Sequence, residues 1–219
     1  MKTLNTTFAV AVVAMLTLLI SFGCADVSVD PEVSVNGSGL IGDTKVKAHE
    51  SFSQIVNLTN QTSLKVEGIN GSISVESVFG TNQVSISGEK IVSSDTYQDA
   101  NSHLKDIALK IDELTNELLV KTLQPQYSNG RSYQVNYTIT IPSNLSITID
   151  NVNGSIQLEI PQTTSANFSA SLVNGSISLQ NLILHNKVVT SKSLMGTLGN
   201  GQGTISLRTT NGNINVLGF

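Results

Sequence analysis

The sequence has one cysteine, no tryptophan, four prolines and three histidines among its 219 residues. A lone Cys cannot close an intramolecular disulfide, and three scattered His without a second Cys leave no zinc-type ligand set, so packing and hydrogen bonds must hold the fold. Charge is sparse as well. Asp, Glu, Lys and Arg make up 13% of the chain, against about 25% in ordinary globular proteins. Twelve Lys and Arg against 16 Asp and Glu leave a formal charge of -4 and a pI near 5.3, which excludes the basic footprint that nucleic acid demands. Aromatics amount to 5%, too few for the girdles of a transmembrane barrel, and strands about five residues long fall short of the ~9–11 residues such a barrel needs. What the chain has in abundance is Ser, Asn, Thr, Gly, Val, Ile and Leu, a mixture of strand and turn formers that predicts one all-β domain.

Long hydrophobic runs are also missing, with one exception. Lys2 precedes an almost wholly apolar stretch from Phe8 to Ile20, followed by Ser21-Phe22-Gly23-Cys24 and the polar Ala25-Asp26-Val27-Ser28-Val29-Asp30-Pro31. The stretch is shorter than the ~20 residues of a comfortable membrane span, and its anatomy predicts a secretory signal over residues 1–23. The single Cys stands at the expected cleavage point, which resembles the lipobox of bacterial lipoproteins, with Ser21 and Phe22 where Leu and a small residue are usual. That resemblance implies that Cys24 is lipidated and anchors the protein in a membrane; Ala25 after it, rather than Asp, implies the outer membrane of a Gram-negative envelope. The alternative is an ordinary signal peptide cut near Gly23 or Ala25, with a periplasmic or secreted product. Residues 24–45, with Pro31, Asn36-Gly37-Ser38-Gly39 and Gly42, read as the lipidated Cys and a tether, and residues 46–219 as the domain.

From Val46 onward apolar and polar residues alternate, and one phrase recurs: Asn70-Gly71-Ser72-Ile73-Ser74-Val75, Asn153-Gly154-Ser155-Ile156-Gln157-Leu158, Asn174-Gly175-Ser176-Ile177-Ser178-Leu179 and Asn211-Gly212-Asn213-Ile214-Asn215-Val216. Asn and Gly tolerate the left-handed backbone that turns a corner, and Ile-x-Val/Leu places two strand formers on one face. Asn-Gly between alternating strands is also a hairpin signal. Spacing decides: the Asn positions stand 83, 21 and 37 residues apart, close to four, one and two turns of a solenoid with a repeat of ~20 residues. The prediction is a parallel β-solenoid with Asn-Gly corners, in which Ile73, Ile156, Ile177 and Ile214 form one aliphatic ladder. One short helix is expected near 95–105; with the N-terminal strands it would cap one end of the solenoid, and Leu217–Phe219 the other.

The literal Gly68-Ile69-Asn70, the Ile-Pro-x-x-Leu phrase at Ile141–Leu145, the Asn-Gly repeats and the closing Gly196-Thr197-Leu198-Gly199-Asn200-Gly201 resemble the bacterial β-strand-repeat adhesin-like family, a domain of unknown function. More distantly they are similar to the Gly-Ile-Asn head domain of autotransporter adhesins. The resemblance implies a right-handed β-solenoid exposed on the cell envelope, with adhesion as the expected role.

Other chemistry is thinly represented. Gly37-Ser38-Gly39-Leu40-Ile41-Gly42 matches a dinucleotide fingerprint but is followed by strand-like alternation instead of a helix. Asp150–Asn153 resembles a calcium loop, yet Val152 and Pro161 occupy ligand positions. No Gly-x-Ser-x-Gly elbow positions a serine nucleophile, and the outward places beside the repeat Ile residues are Ser, Asn and Gln. The expectation is a non-enzymatic envelope module without cofactor, metal or catalytic residues, meeting a glycan or a surface protein. The alternatives are a carbohydrate-active enzyme on a β-helix scaffold and an envelope-stress or regulatory accessory protein that binds another envelope component.

Overall fold

In a computed structural model describing residues 45–219, the alternation from residue 46 onward becomes fifteen strands. The expected signal segment, Cys24, the expected tether up to residue 44 and the Gly37–Gly42 motif lie outside the described residues. In chain order the elements are β1 (Val46–Asn57), β2 (Ser63–Glu67), β3 (Ile73–Val78), β4 (Gln83–Ser94), helix α1 (Tyr97–Ser102), β5 (Ala108–Glu113), β6 (Glu117–Leu123) and β7 (Ser132–Pro142). There follow β8 (Ser146–Asn153), β9 (Ile156–Ile160), β10 (Ala166–Asn174), β11 (Ile177–Gln180), β12 (Leu184–Val189), β13 (Ser193–Leu198), β14 (Gly203–Asn211) and β15 (Ile214–Gly218). The helix is shorter than the 95–105 expected. Thr96 caps it by accepting from the Asp99 N–H, and a 3-10 turn at Leu104–Asp106 finishes the segment.

The strands form two sheets, ordered β1-β4-β7-β3-β9-β15-β11 and β12-β13-β10-β14-β8-β2-β6-β5. Five strand-corner-strand units (β6/β7, β2/β3, β8/β9, β14/β15 and β10/β11) stack in that order in both sheets, each giving its first strand to one sheet and its second to the other. Neighbouring units pair in parallel, as a solenoid requires. The purely parallel expectation is corrected at the ends, where β1, β4, β5, β12 and β13 pair antiparallel. The architecture is all-β and solenoid-like, with mixed sheets.

Stacking also departs from chain order. The 83 residues from Asn70 to Asn153 and the 37 from Asn174 to Asn211 each separate immediate neighbours, not units several turns apart. The intervening chain makes excursions: β4, α1 and β5 build one end, and β12–β13 build the other sheet's edge at the opposite end. The last unit, β14/β15, then inserts between β8/β9 and β10/β11. Leu217–Phe219 therefore cap nothing; β15 is flanked by β9 and β11.

Register aligns like with like. Tyr137, Ile73, Ile156, Ile214 and Ile177 face one another across successive strands, and so do Leu118, Leu64, Ile147, Ile205 and Phe168 in the opposing sheet. Ile73, Ile156 and Ile214 are almost wholly buried, each burial stabilising by about 1.5–3 kcal/mol. Ile177 is only half-buried, because β11 is the edge strand.

Candidate functional site

The two long sides of the stack differ in construction. On one side the corners are the Asn-Gly phrases. Gly71, Gly154, Gly175 and Gly212 have φ between +118° and +151°, a region that L-residues with a Cβ rarely enter. Space imposes the same choice: a Cβ on Gly175 would strike the Gly212 carbonyl, one on Gly212 that of Gly154, one on Gly154 that of Gly71, and one on Gly71 that of Val135. The neighbouring Asn side chains bond in one direction. Asn174 Nδ2 donates to Asn211 Oδ1 (2.7 Å), Asn211 to Asn153 (2.7 Å) and Asn153 to Asn70 (2.8 Å), and Asn70 ends the column on the Tyr133 carbonyl at 3.0 Å. Asn213 and Asn136 each accept both the N–H and the hydroxyl of a serine in the adjoining unit, Ser176 and Ser72. These corner residues are thus engaged with one another, and their placement is structural.

The opposite side is closed by longer returns, residues 143–145, 161–165 and 199–202, which border a groove of about 580 Å³. Ser and Thr hydroxyls dominate its lining, with Leu145, Ile147 and Ile160 beneath and the ring of Phe79 at the rim. Nothing in the sequence pattern pointed here except one irregularity: Ser77 stands where the inward row Ile73, Val75 calls for an aliphatic residue.

Ionisable groups lie elsewhere. Arg131 grips Asp99 with two 2.7 Å hydrogen bonds, and the Ser94 hydroxyl donates to the same carboxylate. Arg131 first, then Ser94, hold the Asp99 carboxyl well below the usual carboxylate range. Lys121 and Lys65 likewise lower Glu67. Burial raises the Tyr137 phenol, which shares a 2.7 Å hydrogen bond with Thr122 and meets Phe52 edge-on. Asp99, Ser102 and His103 superficially form a catalytic set. However, the Ser102 hydroxyl and the Asp99 carboxylate both approach Nδ1, at 3.0 and 3.6 Å, while that nitrogen lies 2.7 Å from the Asp99 carbonyl. A relay needs serine and carboxylate on opposite ring nitrogens. Among the described residues no three His, Cys, Asp or Glu side chains are grouped to hold a metal ion. No helix among them is long and apolar enough to cross a membrane.

A solenoid-like β domain whose units are zipped by Asn-Gly corners is the class this geometry defines. The chain belongs to the Toastrack DUF4097 family, whose pattern matches residues 26–217 and so begins within the 24–45 segment. No curated protein matches it. Among solved structures it is similar to a candidate cell-adhesion protein from Clostridium sporogenes, at 10% identity over 78% of this chain and 100% of that one, with a TM-score of 0.39. It is also similar to candidate adhesins from Parabacteroides merdae (11% identity, 60% of each chain, TM-score 0.26) and Parabacteroides distasonis (11% identity, 76% and 70%, TM-score 0.27).

Proposed function

We propose that the protein is a cell-envelope lipoprotein, acylated at Cys24, whose domain is displayed outside the cytoplasm as a non-enzymatic adhesive or structural module for a glycan or another surface protein. The observation that carries this reading is the character of the two long sides. One is committed to unit-to-unit hydrogen bonds, and the other offers uncharged hydroxyls, a chemistry of recognition more than of bond cleavage. Support for the anchor is the signal anatomy and the position of the single Cys. A right-handed winding accords with the family resemblance and with the general handedness of parallel crossovers.

The test is fractionation of cells expressing the chain. Incorporation of a labelled fatty acid and recovery with membranes, both abolished by Cys24→Ser, are the expected results, together with protease access to the domain in intact cells or spheroplasts. A chain that remains in the cytosol, or one that is unlabelled and unaffected by Cys24→Ser, would overturn the anchor.

A further inference from the structure

We infer that the groove between the return connections is a binding site for a neutral saccharide ring, free or at the end of a glycan. The inference deepens the envelope-module reading and depends on it only for where such a glycan is met, since binding itself requires neither acylation nor display.

A buried hydroxyl without a partner, beside an inward-facing serine, carries it. Ser77 is 2% exposed, points inward from β3 and borders the groove. Thr164 Oγ1 is buried, borders the same groove and has no hydrogen-bond partner among the described residues. A buried hydroxyl left unpaired costs about 1–3 kcal/mol, and such groups are rare enough in folded proteins that each asks for an explanation. A ligand that supplies the missing partner of Thr164 while meeting the Ser77 hydroxyl is one that fits the position. An aliphatic residue at position 77 would continue the Ile73, Val75 row and stabilise the fold better, so the serine has a use other than packing.

The rest of the lining narrows the ligand. Ser146 Oγ accepts the Thr204 N–H at 3.1 Å, and Ser165 Oγ accepts those of Asn200 and Gln202 at 3.0 and 3.2 Å. Backbone donors therefore fix both hydroxyls in place while leaving each O–H proton free to donate. The groove thus offers paired donors and acceptors at set positions, which matches vicinal hydroxyls. Among the described residues no Asp, Glu, Lys, Arg or His borders it, so an anionic or cationic ligand would shed its hydration without meeting a counter-charge there. Phe79 is 66% exposed at the rim, presenting a flat apolar surface to the C–H face of a pyranose. A purely apolar ligand is disfavoured, because it would leave Thr164 unpaired and cover the hydroxyls of the lining without bonding them. The volume of about 580 Å³ falls within the ~300–1,000 Å³ of small-ligand sites.

The test uses the full exported chain purified in detergent, titrated with neutral mono- and oligosaccharides and with uronic-acid and sialylated counterparts, and read by saturation-transfer NMR and calorimetry. Saturable binding of at least one neutral saccharide is expected, weakened tenfold or more by Phe79→Ala and by Ser77→Ala, and unchanged by Ser74→Ala on the outward face of the same strand. Neither groove variant should lower the melting temperature, since Phe79 is exposed and an alanine suits the inward position of residue 77. A hit among free monosaccharides alone points to a soluble sugar, and a hit on oligosaccharides to a glycan terminus; both uphold the site. Binding by no neutral saccharide, by charged ones only, or equally by wild type and both groove variants would overturn it. Acylation without sugar binding sinks the groove and spares the anchor; sugar binding without acylation does the reverse.

Discussion

Replacing Gly154 by alanine isolates the rule that builds the corner side. Gly154 has φ +138°, and a Cβ there would collide with the Gly71 carbonyl of the neighbouring unit. Two costs add. A non-glycine residue in this backbone region is strained by ~1–3 kcal/mol. Backbone that must move to admit an extra methyl in a packed stack costs a further ~1–3 kcal/mol. The sum, ~2–6 kcal/mol, is a large part of the ~5–15 kcal/mol by which a domain is stable. At this size each kcal/mol lowers Tm by ~2–4 °C, so a mid-range loss of about 4 kcal/mol appears as ~8–16 °C. Gly130→Ala supplies the control: its φ is +82°, but nothing lies within 4 Å of the added Cβ, so only the strain remains, ~2–12 °C by the same conversion. Thermal and urea unfolding of both variants, followed by circular dichroism, measure the difference. If Gly154→Ala loses no more stability than Gly130→Ala, the close approach of carbonyl and Cα between units does not dictate glycine at the corners.

Ile156→Asp places a carboxylate in a fully buried row, costing ~4 kcal/mol or more, and should leave the domain unfolded or soluble only as a molten species. Ile177→Asp, at the half-buried edge strand, should cost about 1–2 kcal/mol and remain folded; identical behaviour in denaturant unfolding would refute the placement of β11. The Asp99 carboxyl, held low chiefly by Arg131, lends stability that is present above the unfolded carboxylate pKa and is lost as pH falls towards the folded value. Acid unfolding below about pH 4 should therefore be shallower in Asp99→Asn than in wild type, and parallel acid limbs would contradict the coupling. Deleting residues 212–219 removes β15 from between β9 and β11 and should abolish folding instead of merely exposing an end; a soluble truncation with an intact sheet signature would refute the insertion.

The sequence pattern made the strands legible because alternation is a local signal, and it made the corner phrase legible because Asn-Gly and the Ile two residues after Gly recur with fixed spacing. The in-register rows of Ile73, Ile156, Ile214 and Ile177 follow from that same phrase. Which phrase lies beside which was not legible. The four copies present the same Asn, Gly and Ile to any neighbour, so their chemistry carries no address, and chain separation misleads once excursions such as β4–α1–β5 and β12–β13 are spent on building the ends. The groove was hidden for another reason: it is formed by three return connections distant in sequence, and each of their serines reads alone as turn chemistry. Only Ser77, out of place in an inward aliphatic row, was a visible sign.

Copies that are alike raise the problem of stopping. A parallel unit whose upper face matches its lower face is a template for further growth, and the Asn column, donating uniformly towards Tyr133, leaves Asn174 Oδ1 and the edge of β11 at the free end. Chain order offers one solution. Because β14/β15 inserts inside the stack, the unit left at the edge is β10/β11, whose second strand has only four residues, with Ser178 between its two apolar positions and Gln180 at its end. In the other sheet that end is covered by antiparallel β13 and β12, the latter interrupted by a register shift between His185 and Val188 that spans Lys187. Short edges, bulges and an edge lysine are the devices by which sheets resist pairing with another chain. The C-terminal unit, with its fuller five-residue strand, is thus placed where it is paired on both sides, and the weakest copy of the phrase faces solvent.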